Sequence, residues 1–210
     1  MTDHYLPFFP LNLVAFPGES VNLHIFEERY KQLVGECQAE EKPFGIPAYI
    51  NKRIEYGTEV YVTKVVKKYE DGRMDITTRA SRVFKVMSFM NPVGGKLYAG
   101  GEVFFLDNID DGIPEMRAEM ASLIQELYDV MNIVKKVDVD VDITTFDIGH
   151  RIGLSLEQEY ELIQMEKESQ RQDMVIRHLK KTIPTLKEVE RSKEIIRMNG
   201  HFKHFDPLDF

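Results

Sequence analysis

A change of hydrophobic period near residue 112 limits this chain more than any other feature. Up to that point the apolar residues come in short β-rich runs interrupted by glycine and proline, and beyond it they recur every three or four residues. One segment cannot satisfy both periods, because alternate residues share a face on a strand and every third or fourth does so on a helix. The junction reads Asp107-Asn108-Ile109-Asp110-Asp111-Gly112-Ile113-Pro114, an acidic loop whose proline suits the first turn of a helix. The expectation is an α+β fold of two lobes, β-rich over residues 1–112 and a helical bundle with a C-terminal tail over 113–210.

In the first lobe the clearest strand signal is Thr58–Tyr69 followed by Arg73–Met87. Val60, Val62 and Val66 share a parity that Met74, Ile76, Phe84 and Val86 continue. Opposed residues of a hairpin point to one face, so pairing even positions with even ones calls for a loop with an odd number of residues. Glu70-Asp71-Gly72 meets that need, with Gly72 in the left-handed conformation. Further strands are expected at Leu6–Val14, Phe44–Ile50 and Leu97–Leu106. Pro7 and Pro10 cannot donate to a ladder, which puts the first of these at an edge or makes it irregular.

In the second lobe Met116, Met120, Leu123, Ile124, Leu127, Met131 and Val134 form a one-faced helical stripe. Capping boxes at Ser155–Gln158, Ser169–Gln172 and Thr185–Glu188 each set a hydroxyl three residues ahead of Gln or Glu and mark three helix starts. Pro184 supports a break before Thr185. These starts predict short antiparallel helices joined by very short loops.

The net charge of −8 is shared between the lobes: thirteen basic against sixteen acidic residues up to 112, and fourteen against nineteen beyond it. Neither lobe has the basic character that nucleic-acid binding favours. A local basic excess does occur at 64–85, in Lys64, Lys67, Lys68, Arg73, Arg79, Arg82 and Lys85 against Glu70, Asp71 and Asp75. On a β-ribbon such residues read first as a solvated face. No apolar run approaches the roughly 18 to 20 residues of a membrane span, and Met1-Thr2-Asp3-His4 lacks the marks of a signal peptide, which points to the cytoplasm. The single cysteine, Cys37, can form neither an internal disulfide nor a multi-thiolate metal site and reads as an apolar filler.

The residue patterns of catalysis do not occur. Gly94-Gly95-Lys96 has Met90 where a phosphate loop needs its earlier glycine, and is read as a turn. There is no His-Glu-x-x-His and no Gly-x-Ser-x-Gly. His201 and His204 supply two ligands where a catalytic zinc site takes three from the protein. The expectation is a protein that is no enzyme and holds no cofactor and no metal.

The stretch Leu6-Pro-Phe-Phe-Pro-Leu-Asn-Leu-Val-Ala-Phe-Pro-Gly18, followed by Leu23-His-Ile-Phe-Glu-Glu-Arg-Tyr30, resembles the opening of the Lon protease N-terminal, substrate-binding domain family. Glu28 stands where that family often has proline. Phe44-Gly45-Ile46, Tyr56-Gly57-Thr58 and Glu70-Asp71-Gly72-Arg73 follow in the family's order, and Ala80-Ser81-Arg82-Val83-Phe84 replaces its glycine-x-x-Arg-Phe segment. Further on, Ile152-Gly153-Leu154-Ser155 with Gln158, Leu162 and Arg171 resembles the family's helical part, so the likeness runs over residues 5–185.

The resemblance implies a PUA-like β pseudo-barrel followed by a helical bundle, in a stand-alone member without the ATPase and peptidase domains of full-length Lon. It implies a non-catalytic, ATP-independent module that engages unfolded or tagged polypeptides or docks a partner protease or chaperone. The residues themselves suggest structural work first: prolines that fix turns, Leu23 and Ile25 in a buried strand, and Phe26, Tyr30 and Leu33 on the inner face of a helix. The functional expectation is that Phe8, Phe16, Phe26, Arg29 and Tyr30 border an exposed apolar groove, because aromatic anchors supply much of the energy where one protein grips another. The alternative is an RNA-binding module using the barrel and segment 64–85. Phe202, Phe205, Leu208 and Phe210 are expected to pack back on the bundle.

Overall fold

The computed structural model describes residues 4–134 and 143–201. Strands β1 His4–Phe8, β2 Ser20–Ile25, β3 Phe44–Ile50, β4 Arg53–Lys68, β5 Met74–Val86 and β6 Ala99–Phe105 come first, with helix α1 Glu28–Ala39 between β2 and β3. Helices α2 Pro114–Val130, α3 Thr145–Ile148, α4 Leu156–Ile163 and α5 Glu168–His201 follow, in an α+β fold. The strand order is β2-β5-β4-β3-β1-β6, and a further pairing of β5 with β6 closes five strands into a barrel with β2 appended. Closure depends on β5 serving two neighbours along its length: residues 74–79 pair with β2, and residues 84–86 pair with β6.

The β4–β5 hairpin turns as its parity requires. The Tyr69 N–H donates to the Arg73 carbonyl at 2.9 Å across Glu70-Asp71-Gly72, and Gly72 has φ 81°. Along the strands Val60, Met74, Ile76 and Phe84 are buried as the parity expects, but three register shifts interrupt the pairing and Val66 is 57% exposed. Each shift bends and twists the ribbon locally, which a closed barrel needs.

Of the two arrangements expected from its prolines the segment takes the irregular one: β1 ends at Phe8, beyond it only the isolated bridge of Leu11 to Ala48 follows, and β1 itself is no edge, pairing antiparallel with β6 and parallel with β3. The Phe9 N–H points to the Gly45 carbonyl at 2.8 Å. By alternation the nitrogen of Pro7 faces the same side, ahead of the first β1–β3 pair at Phe8 and Gly45, so its missing donor breaks no ladder bond. Inside the barrel unit, Leu23, Ile25, Phe44, Ile46, Val60 and Ile76 form one core with Tyr30, Leu33, Val34 and Cys37 of α1. A second cluster joins Leu6, Phe8, Phe84, Ala99 and Val103. Each such side chain contributes about 1.5–3 kcal/mol by leaving water. Cys37 is the filler expected, its thiol pushed up to about 12 by burial and by the nearby charge of Glu36 and Glu40.

Contacts divide the chain into a unit drawn from Met1–Asp111 and Thr144–Arg171 and another from Gly112–Ile143 and Gln172–Phe210. One crossing falls between Asp111 and Gly112, but segment 144–171 groups with the barrel and not with the other helices. In the helical unit α2 buries Met120, Ile124 and Leu127, whereas Met131 and Val134 lie past its end and are exposed. α5 is one helix of 34 residues and not two short ones. Ser169 does not cap it; its N–H and hydroxyl both donate to the Asp111 carboxylate at 2.9 Å, within the barrel unit. The expected break at Pro184 is absent too. Thr185 sends its hydroxyl to the Lys181 carbonyl at 3.3 Å, and the ion pairs Lys180–Glu119 and Lys187–Glu126 hold the helix to α2 on both sides of the proline. Residues 202–210, and with them His204 and the four apolar tail residues, lie outside the described residues. No helix among the described residues is long and apolar enough to cross a membrane.

Candidate functional site

The five residues expected at a groove go to three places. Phe16 is fully buried between Phe146, at 5.5 Å, and His150, at 4.4 Å. A Cβ on Gly149 would lie 2.4 Å from the Phe16 ring, so the close seat of segment 144–171 on the barrel requires glycine there. Phe26 is 59% exposed beyond the end of β2, not on the inner face of α1, with the His24 ring beside it at 5.9 Å. Phe8, Arg29 and Tyr30 meet around a single concavity.

That concavity has a volume of about 420 Å³ and is lined by Pro10, Arg29, Tyr30, Tyr49, Ile54, Phe89, Asn91 and Ala99. Phe8 is fully buried and lies beneath it, stacked on Phe89 at 6.0 Å and on Phe84 at 5.8 Å, so it holds the Phe89 ring without offering a surface of its own. Tyr30 is held by Phe9, whose ring centroid is 3.8 Å away, and burial raises the pKa of its phenol. Tyr49 at 46% and Phe89 at 41% exposure turn their rings to solvent. Met87 and Met90, next to Phe89 in the β5–β6 connection, are exposed as well. Methionine and aromatic rings together adapt to apolar side chains of varied shape.

Charge contributes little at this place. The Arg29 guanidinium donates to Glu27 Oε2 at 2.9 Å and lies 4.5 Å from the centre of the Tyr30 ring. Its positive charge is therefore answered within the chain. Sequence reasoning missed Tyr49, Ile54 and Phe89. Tyr49 carried a signal, since its neighbours Ala48 and Ile50 in β3 are buried and the alternation turns position 49 outward. Phe89 and the two methionines sit in an irregular connection, where no period marks which side chains face water.

The basic residues of 64–85 lie along the β4–β5 ribbon, and several have partners within the chain. Arg82 makes a bidentate pair with the buried carboxylate of Glu59, at 2.9 and 2.8 Å. Arg73 binds Asp71 at 2.6 Å, Lys67 lies 4.4 Å above the Tyr69 ring, and Lys85 is 5.8 Å from the Tyr56 ring. Two of the seven cations, Arg73 and Arg82, are thus in ion pairs, and Lys67 and Lys85 lie over aromatic rings.

Comparison with known proteins places this geometry. Residues 5–189 match the family model of the ATP-dependent protease La (LON) substrate-binding domain. A Lon N-terminal domain protein from Xanthomonas campestris, known from a crystal structure, is similar with a TM-score of 0.64 and 26% identity, over 82% of this chain and 97% of that one. The N-terminal domain of the Mycobacterium avium complex Lon protease has a TM-score of 0.61 at 15% identity, over 84% and 98% of the two chains, and so shares the fold. No curated protein matches. The closed barrel, the helices that follow and a family match over most of its length agree: the chain belongs to the Lon substrate-binding domain family.

Proposed function

We propose that the chain grips extended apolar stretches of unfolded or tagged polypeptide in the groove between Tyr49 and Phe89, without catalysis and without nucleotide, in the cytoplasm. The observation that carries the reading is the pair of solvent-facing rings, Tyr49 and Phe89, over a floor made rigid by Phe8 and Phe9. Aromatic rings on a rigid base lose little conformational freedom when they bind, so most of their contact energy appears as affinity. A family named for substrate binding supports the same class of ligand. A partner protease or chaperone would receive what the groove holds.

Fluorescence anisotropy with a labelled, permanently unfolded protein, such as reduced and carboxymethylated lactalbumin, tests the reading. Tyr49→Ala and Phe89→Ala together are expected to weaken binding by about 2–4 kcal/mol, near the value of two interface anchors. Binding unchanged by the double substitution, or hydrolysis of the unfolded protein by the purified chain, would overturn it.

A further inference from the structure

The barrel closes on every strand but one. Among the described residues β2 has β5 on one side and no strand on the other. Backbone groups alternate sides along a strand. The Glu19 carbonyl accepts from the Ala80 N–H at 2.9 Å, and the Val21 carbonyl accepts from the Thr78 hydroxyl at 3.0 Å, so the odd-numbered residues face β5. Ser20, Asn22 and His24 therefore turn their N–H and C=O groups outward, and among the described residues no backbone group pairs with them. All three are exposed.

Edges that stay single are usually blunted by proline, by lysine or by a bulge. Ser20–Ile25 contains neither residue, and its register against β5 runs through all six positions without a shift. β4 shifts three times against the same partner, twice beyond Val60, where its pairing with β3 has ended. The uncovered stretch of β4 is thus broken by shifts, and β2 is the open strand that stays regular. Leu23 and Ile25 pin β2 to the core, so its outer edge is held in extended form before anything binds.

We propose that the outer edge of β2 takes an extended segment of another polypeptide as an added strand. The groups awaiting partners are peptide groups at strand spacing, a repeat that a second peptide backbone matches and a nucleic acid does not. The exposed rings of His24 and Phe26 stand on the solvent face of this edge, and Asp75 holds the His24 ring through a 2.6 Å bond to Nδ1. They favour a segment with aromatic or β-branched residues at alternate positions. None of Ser20, Asn22 and His24 lines the Tyr49–Phe89 groove. The inference shares with the proposed function only the class of its ligand.

The test uses the full chain carrying Tyr49→Ala and Phe89→Ala, which removes the groove's rings, and a short labelled peptide of alternating valine and threonine with lysine ends. Two versions of the peptide are N-methylated at alternate residues in opposite phases. One phase is expected to lose binding by about tenfold or more, since each backbone bond is worth about 1 kcal/mol, and the other to change it by about twofold at most. Asn22→Pro and Ser20→Pro remove outward donors and leave the β5 ladder intact, so each is expected to weaken the peptide with little change in melting temperature. Equal loss in both phases, or peptide binding that survives both proline variants, would overturn the inference. So would a dimer in sedimentation that Asn22→Pro dissolves, because a second copy would then occupy the edge. If the groove binds unfolded protein and the edge binds no peptide, this inference alone fails. The converse result removes the groove and leaves the edge standing.

Discussion

His150 has a carboxylate at each ring nitrogen: Glu19 at 3.0 Å from Nε2 and Glu159 at 2.7 Å from Nδ1. The hydrogen bond to Glu19 first, and that to Glu159 after it, hold the protonated ring in place and raise its pKa from 6.5 to about 9 against the opposing effect of burial. A raised pKa stabilises the fold fully below the unfolded value near 6.5 and ceases to do so as pH passes about 9. The melting temperature is therefore expected to fall between about pH 7 and 9.5, and His150→Gln to flatten that slope. With 41% of the side chain exposed, solvent screening reduces the effect to roughly 1 kcal/mol. Arg171 presents the buried case. It donates to Glu168 at 2.9 Å, to Asn108 at 2.7 Å and to the Met165 carbonyl at 2.7 Å, and Thr145 completes the Glu168 carboxylate through its N–H and hydroxyl. Arg171→Met strands the carboxylate and is expected to cost about 3–5 kcal/mol in urea unfolding, while adding Glu168→Leu recovers part of it. Arg171 was legible as part of a motif. Its partners were not, because Asn108 and Thr145 lie far from it in sequence and only the fold brings them together.

Among elements, what could be read was what local bonds decide. Ser155 and Gln158 form the expected capping box, the Ser155 hydroxyl accepting from the Gln158 N–H at 3.3 Å and the Ser155 N–H donating to Gln158 Oε1 at 2.9 Å. Ser155→Ala is expected to cost about 1 kcal/mol and to speed amide exchange in α4 before it does so elsewhere. The same pattern at Ser169 and Thr185 failed because α5 begins at Glu168 and runs through Pro184, so both residues lie within the helix, where their hydroxyls donate to Asp111 and to the Lys181 carbonyl. Strand β3 was found at its true limits, since its ends are marked by turns. The place of β1 inside the barrel was hidden, because a proline excludes only the bonds its own nitrogen would make, and which side that nitrogen faces depends on pairing with residues some forty positions away.

At the scale of the molecule, the formal charge of −8 and the neutralised Arg29 set how binding should answer to salt. Affinity of the groove for unfolded protein is expected to change by less than about threefold between roughly 50 and 300 mM salt, where a phosphate-binding surface would lose orders of magnitude. A steep loss with salt would mean that charged groups, and not the two rings, carry the contact. The fold class came through because the change of period and the signature motifs both report on backbone geometry. The groove was only partly visible: aromatic residues that build a floor and those that stand on it look alike until burial separates Phe8 and Phe9 from Phe89 and Tyr49.

β5 is stitched to β2 along residues 74–79 and to β6 at 84–86. Were a strand added to β2, a pull along it would load the six β2–β5 pairs side by side, in shear, at the opposite end of β5 from its three pairs with β6. Six pairs loaded together part only as a set, so the seam with β6 would stay shut until β2 had come away.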